Sequence, residues 1–123
     1  MHPALKTLHD YYRAFSSMQM NAIVSYFCEP CMSVGPQGVF SVGTRTELAK
    51  ALNAFVEDLR EKGYAKSEFT DSELTPLTER AVLLKGNAVR YVGGGQELER
   101  LSISYLMSFT SDGWKIAVMV LDR

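Results

Sequence analysis

The stretch Leu98–Asp122, LERLSISYLMSFTSDGWKIAVMVLD, decides the fold. Leu101, Ile103, Tyr105, Met107 and Phe109 alternate with Arg100, Ser102, Ser104, Leu106 and Ser108. A period of two marks a strand with one buried face. Ser111-Asp112-Gly113 supplies a turn, and the alternation then resumes. In that second strand Trp114, Ile116, Val118 and Val120 share one face, and Lys115, Ala117, Met119 and Leu121 the other. The bulkier set in each strand is expected to form a concave core wall. The set of serines, Leu106, Ala117, Met119 and Leu121 is expected to face outward.

Upstream the pattern continues as strands: a polar one over 65–75, a second from Arg80 to Val92, and a flexible loop at Gly93-Gly94-Gly95-Gln96. Before these the period changes to that of a helix. Leu5, Leu8, Tyr12 and Phe15 recur three and four residues apart, Tyr11 lies beside them, and Pro3 suits a first turn, so 3–17 reads as an amphipathic helix. A short helix is expected from a cap at Asn21 through Ile23, Val24, Tyr26 and Phe27, stopped by Pro30. Residues 31–42 read as a small hairpin turning at Gly35-Pro36-Gln37-Gly38. Thr44-Arg45-Thr46-Glu47 is a capping box that opens a third helix. Its apolar face carries Leu48, Leu52, Phe55, Val56 and Leu59, and Gly63 ends it. Helices followed by antiparallel strands specify an α+β architecture, with one domain over 1–123.

Composition removes several function classes. The chain has 123 residues, 46% hydrophobic and 22% charged, with a formal net charge of -1. No basic block supplies the electrostatic footprint of nucleic-acid binding. No apolar run is long enough to span a bilayer, and Met1-His2-Pro3-Ala4-Leu5-Lys6 has no secretory pattern, so the expectation is a cytoplasmic protein with no membrane partner. Cys28-Glu29-Pro30-Cys31 spells C-x-x-C, but no second cysteine pair completes a zinc site. A redox thiol is favoured at a helix N-terminus, whereas Cys28 is expected at a helix end, so both cysteines read as small buried side chains. No metal or organic cofactor is implied. Gly93–Gly95 lead into a strand, so they are no P-loop, and Gly43-Thr44-Arg45 reads as ordinary capping with an anion site as the alternative.

The outer face of the last hairpin is too apolar for a plain solvated surface. A homodimer through Ser104, Leu106, Ala117 and Met119 is the expected cover.

Tyr11-Tyr12-Arg13-Ala14-Phe15 and Ile23-Val24-Ser25-Tyr26-Phe27-Cys28-Glu29-Pro30-Cys31, with Phe109–Trp114 and Ile116, carry a family resemblance over nearly the whole chain. Their arrangement resembles the nuclear transport factor 2-like superfamily, in its SnoaL-like and ketosteroid isomerase-like branch. The resemblance implies a cone-shaped antiparallel sheet wrapped around three helices, the cystatin-like α+β barrel. It implies a pocket open at one end, and dimers through the outer sheet face. Members include isomerases, dehydratases, epoxide hydrolases, polyketide cyclases and binding subunits without catalysis, so fold does not fix function. The branch's carboxylate base falls on Gly35 here, and Ser33, the nearest side chain facing the same way, is a poor base. The branch's oxyanion-hole donors fall on Tyr11 and Tyr105.

Three readings follow. The first is a small-molecule-binding domain without strong catalysis, its ligand a small hydrophobic or carbonyl-bearing molecule held among Tyr11, Phe15, Ser33, Phe55, Ile103, Tyr105, Trp114 and Val118. The second is an isomerase, dehydratase or cyclase with Tyr11 and Tyr105 as donors. The third is a dimerisation or scaffold module whose cone is filled, since methionine and phenylalanine plug irregular gaps. Arg90 reads either as an exposed strand charge or as a partner for an acidic ligand, and His9 as a base only if it turns inward.

Overall fold

In the computed structural model, which describes residues 1–122, helix α1 spans Pro3–Ser16 and α2 Met20–Val24. Strands β1 (Phe27–Gly35) and β2 (Gly38–Val42) form the small hairpin, and α3 runs from Arg45 to Glu61. Four long strands complete the chain: β3 Tyr64–Thr78, β4 Ala81–Val92, β5 Glu97–Thr110 and β6 Gly113–Asp122. With β1 and β2 they make one six-stranded sheet in the order β2-β1-β6-β5-β4-β3. Pairing is antiparallel except between β1 and β6, which run parallel. No helix among the described residues is long and apolar enough to cross a membrane.

The helices form where the sequence supplies stripes and caps. Ala4, Leu8, Tyr11, Tyr12 and Phe15 of α1 are buried, and His2 Nδ1 accepts the Ala4 amide at 3.0 Å. Thr44 Oγ1 accepts from the Glu47 amide at 3.1 Å, and Glu47 Oε2 reaches back to the Gly43 amide at 3.3 Å. The Glu29 carboxylate takes the Arg45 amide at 2.8 Å, so the first turn of α3 is already served by the chain itself. Gly63 ends the helix at φ 80°.

The second helix is shorter than the spacing predicts. It starts after Gln19 rather than at an Asn21 cap, and it ends at Val24. Tyr26 and Phe27 leave it because Phe27 joins β1, pairing with Ile116 of β6. Cys28 therefore sits on a strand, not at a helix end; it is half-buried and Cys31 is buried, both as free thiols.

Irregularities in the strands curve the sheet. Asp71 takes φ 55° where the β3–β4 register shifts between Thr70 and Glu73, a bulge that bends β3. A second shift falls between Leu106 and Met107 on β5, opposite Val118 and Ile116 on β6. Tyr105 pairs with Met119 and Ile103 with Leu121 on the inner face, while Leu106 pairs with Val118 and Ser104 with Val120 on the outer. The extra residue, Ala117, breaks the alternation, so the expected faces of β6 hold only up to Ile116. Val118 and Val120 turn outward, and Met119 and Leu121 pack against the core. Val118 is thus no wall of the cone, and Met119 is no part of the outer surface. Phe109 is the other exception on β5: at the sheet's end it is 42% exposed and packs on Trp114.

Candidate functional site

The interior of the cone divides into a packed aromatic chamber and an open apolar groove. In the chamber, α1 supplies Tyr11, Tyr12 and Phe15, β3 supplies Phe69 and β5 supplies Tyr105. Tyr12 Oη and Tyr105 Oη share a buried hydrogen bond of 2.7 Å. Around that bond the rings meet edge to face: Tyr11 on Tyr12 at 5.5 Å, Tyr11 on Tyr105 at 6.3 Å and Phe69 on Tyr105 at 5.7 Å between centroids. Gly86 on β4 makes room for Phe69, since a Cβ there would lie 2.7 Å from the phenyl ring and 2.7 Å from the Thr70 carbonyl oxygen. The space left between Tyr11, Tyr12, Phe15, Ser67, Arg90 and Tyr105 is about 20 Å³, which admits a water and nothing larger.

Burial pushes the Tyr11, Tyr12 and Tyr105 phenols well above the usual range, so all three are protonated donors at neutral pH. Arg90 opposes this, favouring the phenolates from the chamber wall. The reading of Arg90 as an exposed strand charge does not fit its position, for it is only 8% exposed. Its Nη1 donates to Glu99 Oε2 at 2.6 Å, and its guanidinium lies 5.0 Å from the centre of the Phe55 ring. The Arg90–Glu99 pair spans β4 and β5, whose register sets the two residues opposite each other.

The groove lies at the other end, between α3 and the β1–β2 hairpin. It encloses about 350 Å³, walled by Phe27, Cys31, Val42, Leu48, Leu52 and Met119, with Ser33 and Phe40 at its rim. Ser33 and Phe40 also border a cavity of about 430 Å³ at the mouth, where Gly35, Pro36, Gln37 and Leu121 complete the lining. Phe40 is 58% exposed on the edge strand, although its register with Ser33 points it to the inner face. No carboxylate, imidazole or amine lines either space among the described residues. Burial raises the Cys31 thiol, so the cysteine in the groove wall is held as a neutral thiol.

The eight expected ligand-binding residues are therefore scattered. Tyr11, Phe15 and Tyr105 meet in the chamber, Ser33 alone reaches the groove, and Phe55 covers Arg90. Ile103 is core, Trp114 packs between Phe109 and His2, and Val118 is outside. His9 sits at the edge of Phe69, 6.4 Å between rings. Sequence reasoning missed Tyr12 as the partner of Tyr105, although its place in the stripe of Leu8, Tyr12 and Phe15 was the available signal. It also missed Leu52, Phe40 and Met119 in the groove; Met119 was hidden by the bulge.

The model of one protein family, described as NTF2-like protein (DUF6841), matches residues 4–123. A search of curated proteins found no match. Among solved structures, an NTF-2 like protein of unknown function from Shewanella oneidensis MR-1 superposes with a TM-score of 0.77 at 16% identity, over 97% of this chain and 95% of that one. A protein from Catenulispora acidiphila in complex with S-DNPA gives 0.77 at 13% identity, over 98% and 90% of the two chains. A ketosteroid isomerase-like protein from Erwinia carotovora atroseptica SCRI1043 gives 0.68 at 13% identity, over 98% and 92%. At such identities these likenesses concern the fold alone.

Proposed function

The chain belongs to the NTF2-like family DUF6841, and from that premise we propose that it is a small-molecule-binding domain without acid–base catalysis. One observation carries the reading: a groove of about 350 Å³ whose walls are mostly apolar and, among the described residues, hold no carboxylate, imidazole or amine. The volume suits a ligand of one or two rings, and the hydroxyl of Ser33 at the rim offers such a ligand one polar contact. A fold neighbour from Catenulispora acidiphila was solved in complex with S-DNPA, which supports a binding role.

The test uses 2-naphthol as the probe and the Met119 methyl resonance as the reporter. Saturable displacement of that resonance is expected in the wild type, and its loss in Leu52→Trp, which fills the groove. An unmoved Met119 signal up to the solubility limit of 2-naphthol overturns the reading.

The packed aromatic chamber favours a second reading, a dimerisation module whose cone is largely filled. The outer face supports a contact between two copies, because Leu106, Val118 and Val120 line up there with Met32 and Val34 of β1. A patch meeting its own copy across a two-fold axis is self-complementary. Light scattering is expected to give twice the monomer mass, and half that value for Val118→Lys. A monomeric wild type at all concentrations refutes this contact. An isomerase-type enzyme is the weakest of the three, since Tyr12 and Tyr105 are committed to each other.

A further inference from the structure

We propose that Arg90 anchors a second ligand site, for a small aromatic monocarboxylate that enters between α3 and the start of β5. A guanidinium this deeply buried is costly unless negative charge and hydrogen bonds compensate it. The chain itself supplies a carboxylate at that position, Glu99, whose Oε2 lies 2.6 Å from Arg90 Nη1. That single bond uses one of five guanidinium N–H donors, and since no fully buried side-chain nitrogen or oxygen among the described residues lacks a partner, the Nε and Nη2 groups are reached by solvent.

A second observation points the same way. The Tyr11 side chain is 7% exposed and lines the chamber beside Arg90, yet its hydroxyl bonds to no described residue. Tyr12 and Tyr105 satisfy each other, so the hydrogen-bonding capacity the protein leaves unused lies on the side of Arg90 and Tyr11. A group rich in acceptor oxygens complements the donor-only guanidinium, and a planar carboxylate matches its fork.

Access exists from outside. A cleft of about 380 Å³ lies between α3 and β5, lined by Phe55, Asp58, Leu59, Lys62, Leu98 and Glu99. Two of these, Phe55 and Glu99, are the residues that cover Arg90, so they form the partition between cleft and chamber. An incoming carboxylate takes the place of the Glu99 carboxylate on Arg90. Its ring then lies against Phe55, Leu59 and Leu98, beside the Lys62–Asp58 ion pair on the same wall. Glu99 thus acts as a built-in competitor, and removing its charge raises the apparent affinity for the outside ligand.

The experiment titrates benzoate into the wild type, Glu99→Gln, Arg90→Gln and Arg90→Lys, with benzamide as the uncharged control, by calorimetry. Glu99→Gln is expected to bind benzoate roughly tenfold more tightly than the wild type. Arg90→Lys keeps the charge but loses the fork, so it binds more weakly, and Arg90→Gln loses binding while its methyl spectrum stays folded. Benzamide gives no heat with any variant. Equal benzoate affinity in the wild type and Glu99→Gln overturns the proposal, as does binding that survives in Arg90→Gln and Arg90→Lys alike. No binding of benzoate to either the wild type or Glu99→Gln overturns it too. Leu52→Trp leaves benzoate binding unchanged, so the fate of this site is separable from that of the 2-naphthol groove.

Discussion

The two ends of the cone are built from the same kinds of apolar side chain, and only one of them closes. At the chamber end, α1 lays Tyr11, Tyr12 and Phe15 on long strands that curve around them, and Gly86 lets Phe69 complete the packing. At the groove end, β1 and β2 are short, and the edge strand leaves Phe40 out over a space of about 350 Å³. The difference teaches that closure depends on strand length and on one missing Cβ more than on hydrophobic content. It also separates the chemistry, because the buried phenols Tyr11, Tyr12 and Tyr105 lie in the closed half.

Glycine substitutions at the two ends break the comparison most sharply. Gly86→Ala drives a Cβ to 2.7 Å from both the Phe69 ring and the Thr70 carbonyl oxygen. The backbone oxygen cannot swing away as a side chain would, so the strands must separate. A loss of about 3 kcal/mol in chemical denaturation is expected, at the upper end of overpacking costs. Gly35→Ala, at the mouth, meets nothing nearer than 3.7 Å, from the Leu121 carbonyl oxygen. Its expected effect is neutral or a gain of roughly 0.5 kcal/mol from the stiffer unfolded chain. Equal losses at both sites would erase the distinction between a packed and an open end.

Alkaline pH is the next lever, because the chamber buries the phenols of Tyr11, Tyr12 and Tyr105. A tyrosine in the unfolded chain ionises near the ordinary 10.0, whereas Tyr11, Tyr12 and Tyr105 are held protonated above it in the fold. Above that pH the unfolded state binds fewer protons than the native one, so unfolding becomes progressively easier. Stability is full below 10.0 and falls beyond it, by up to about 1.4 kcal/mol per pH unit for each of the three phenols. Urea melts between pH 8 and about 11 check this. The double variant Tyr12→Phe/Tyr105→Phe is expected to flatten the slope to the share of Tyr11, while groove variants leave it unchanged.

Much of this fold was legible because its signals are local. The stripe of α1, the Thr44–Glu47 cap and the alternation of β5 each dictate their own element, and the family pattern joined them into a cone. The sites were less legible because they depend on register. One inserted residue, Ala117, exchanged Met119 for Val118 on the inner face, and no alternation count reveals a bulge opposite Leu106. Arg90 was misread for a related reason: its buried partner, Glu99, is brought opposite by strand pairing, nine positions away. Gly86 carried the one overlooked clue, an isolated glycine inside a strand, which marks close approach of a neighbour.

The smallest expected effect separates the three phenols within the chamber itself. Tyr105→Phe removes one hydroxyl from a buried pair and leaves Tyr12 Oη without its partner at 2.7 Å. An orphaned buried hydroxyl costs about 1–2 kcal/mol. Tyr12→Phe leaves Tyr105 in the same condition and should cost a similar amount. Tyr11 has no such bond to any described residue, and its ring contacts with Tyr12, Phe15 and Phe27 survive removal of the oxygen. Tyr11→Phe is therefore expected to change thermal stability within roughly 0.5 kcal/mol of the wild type. A Tyr11→Phe loss matching that of Tyr105→Phe would mean that its hydroxyl is bonded inside the folded chain and is not open to a ligand beside Arg90.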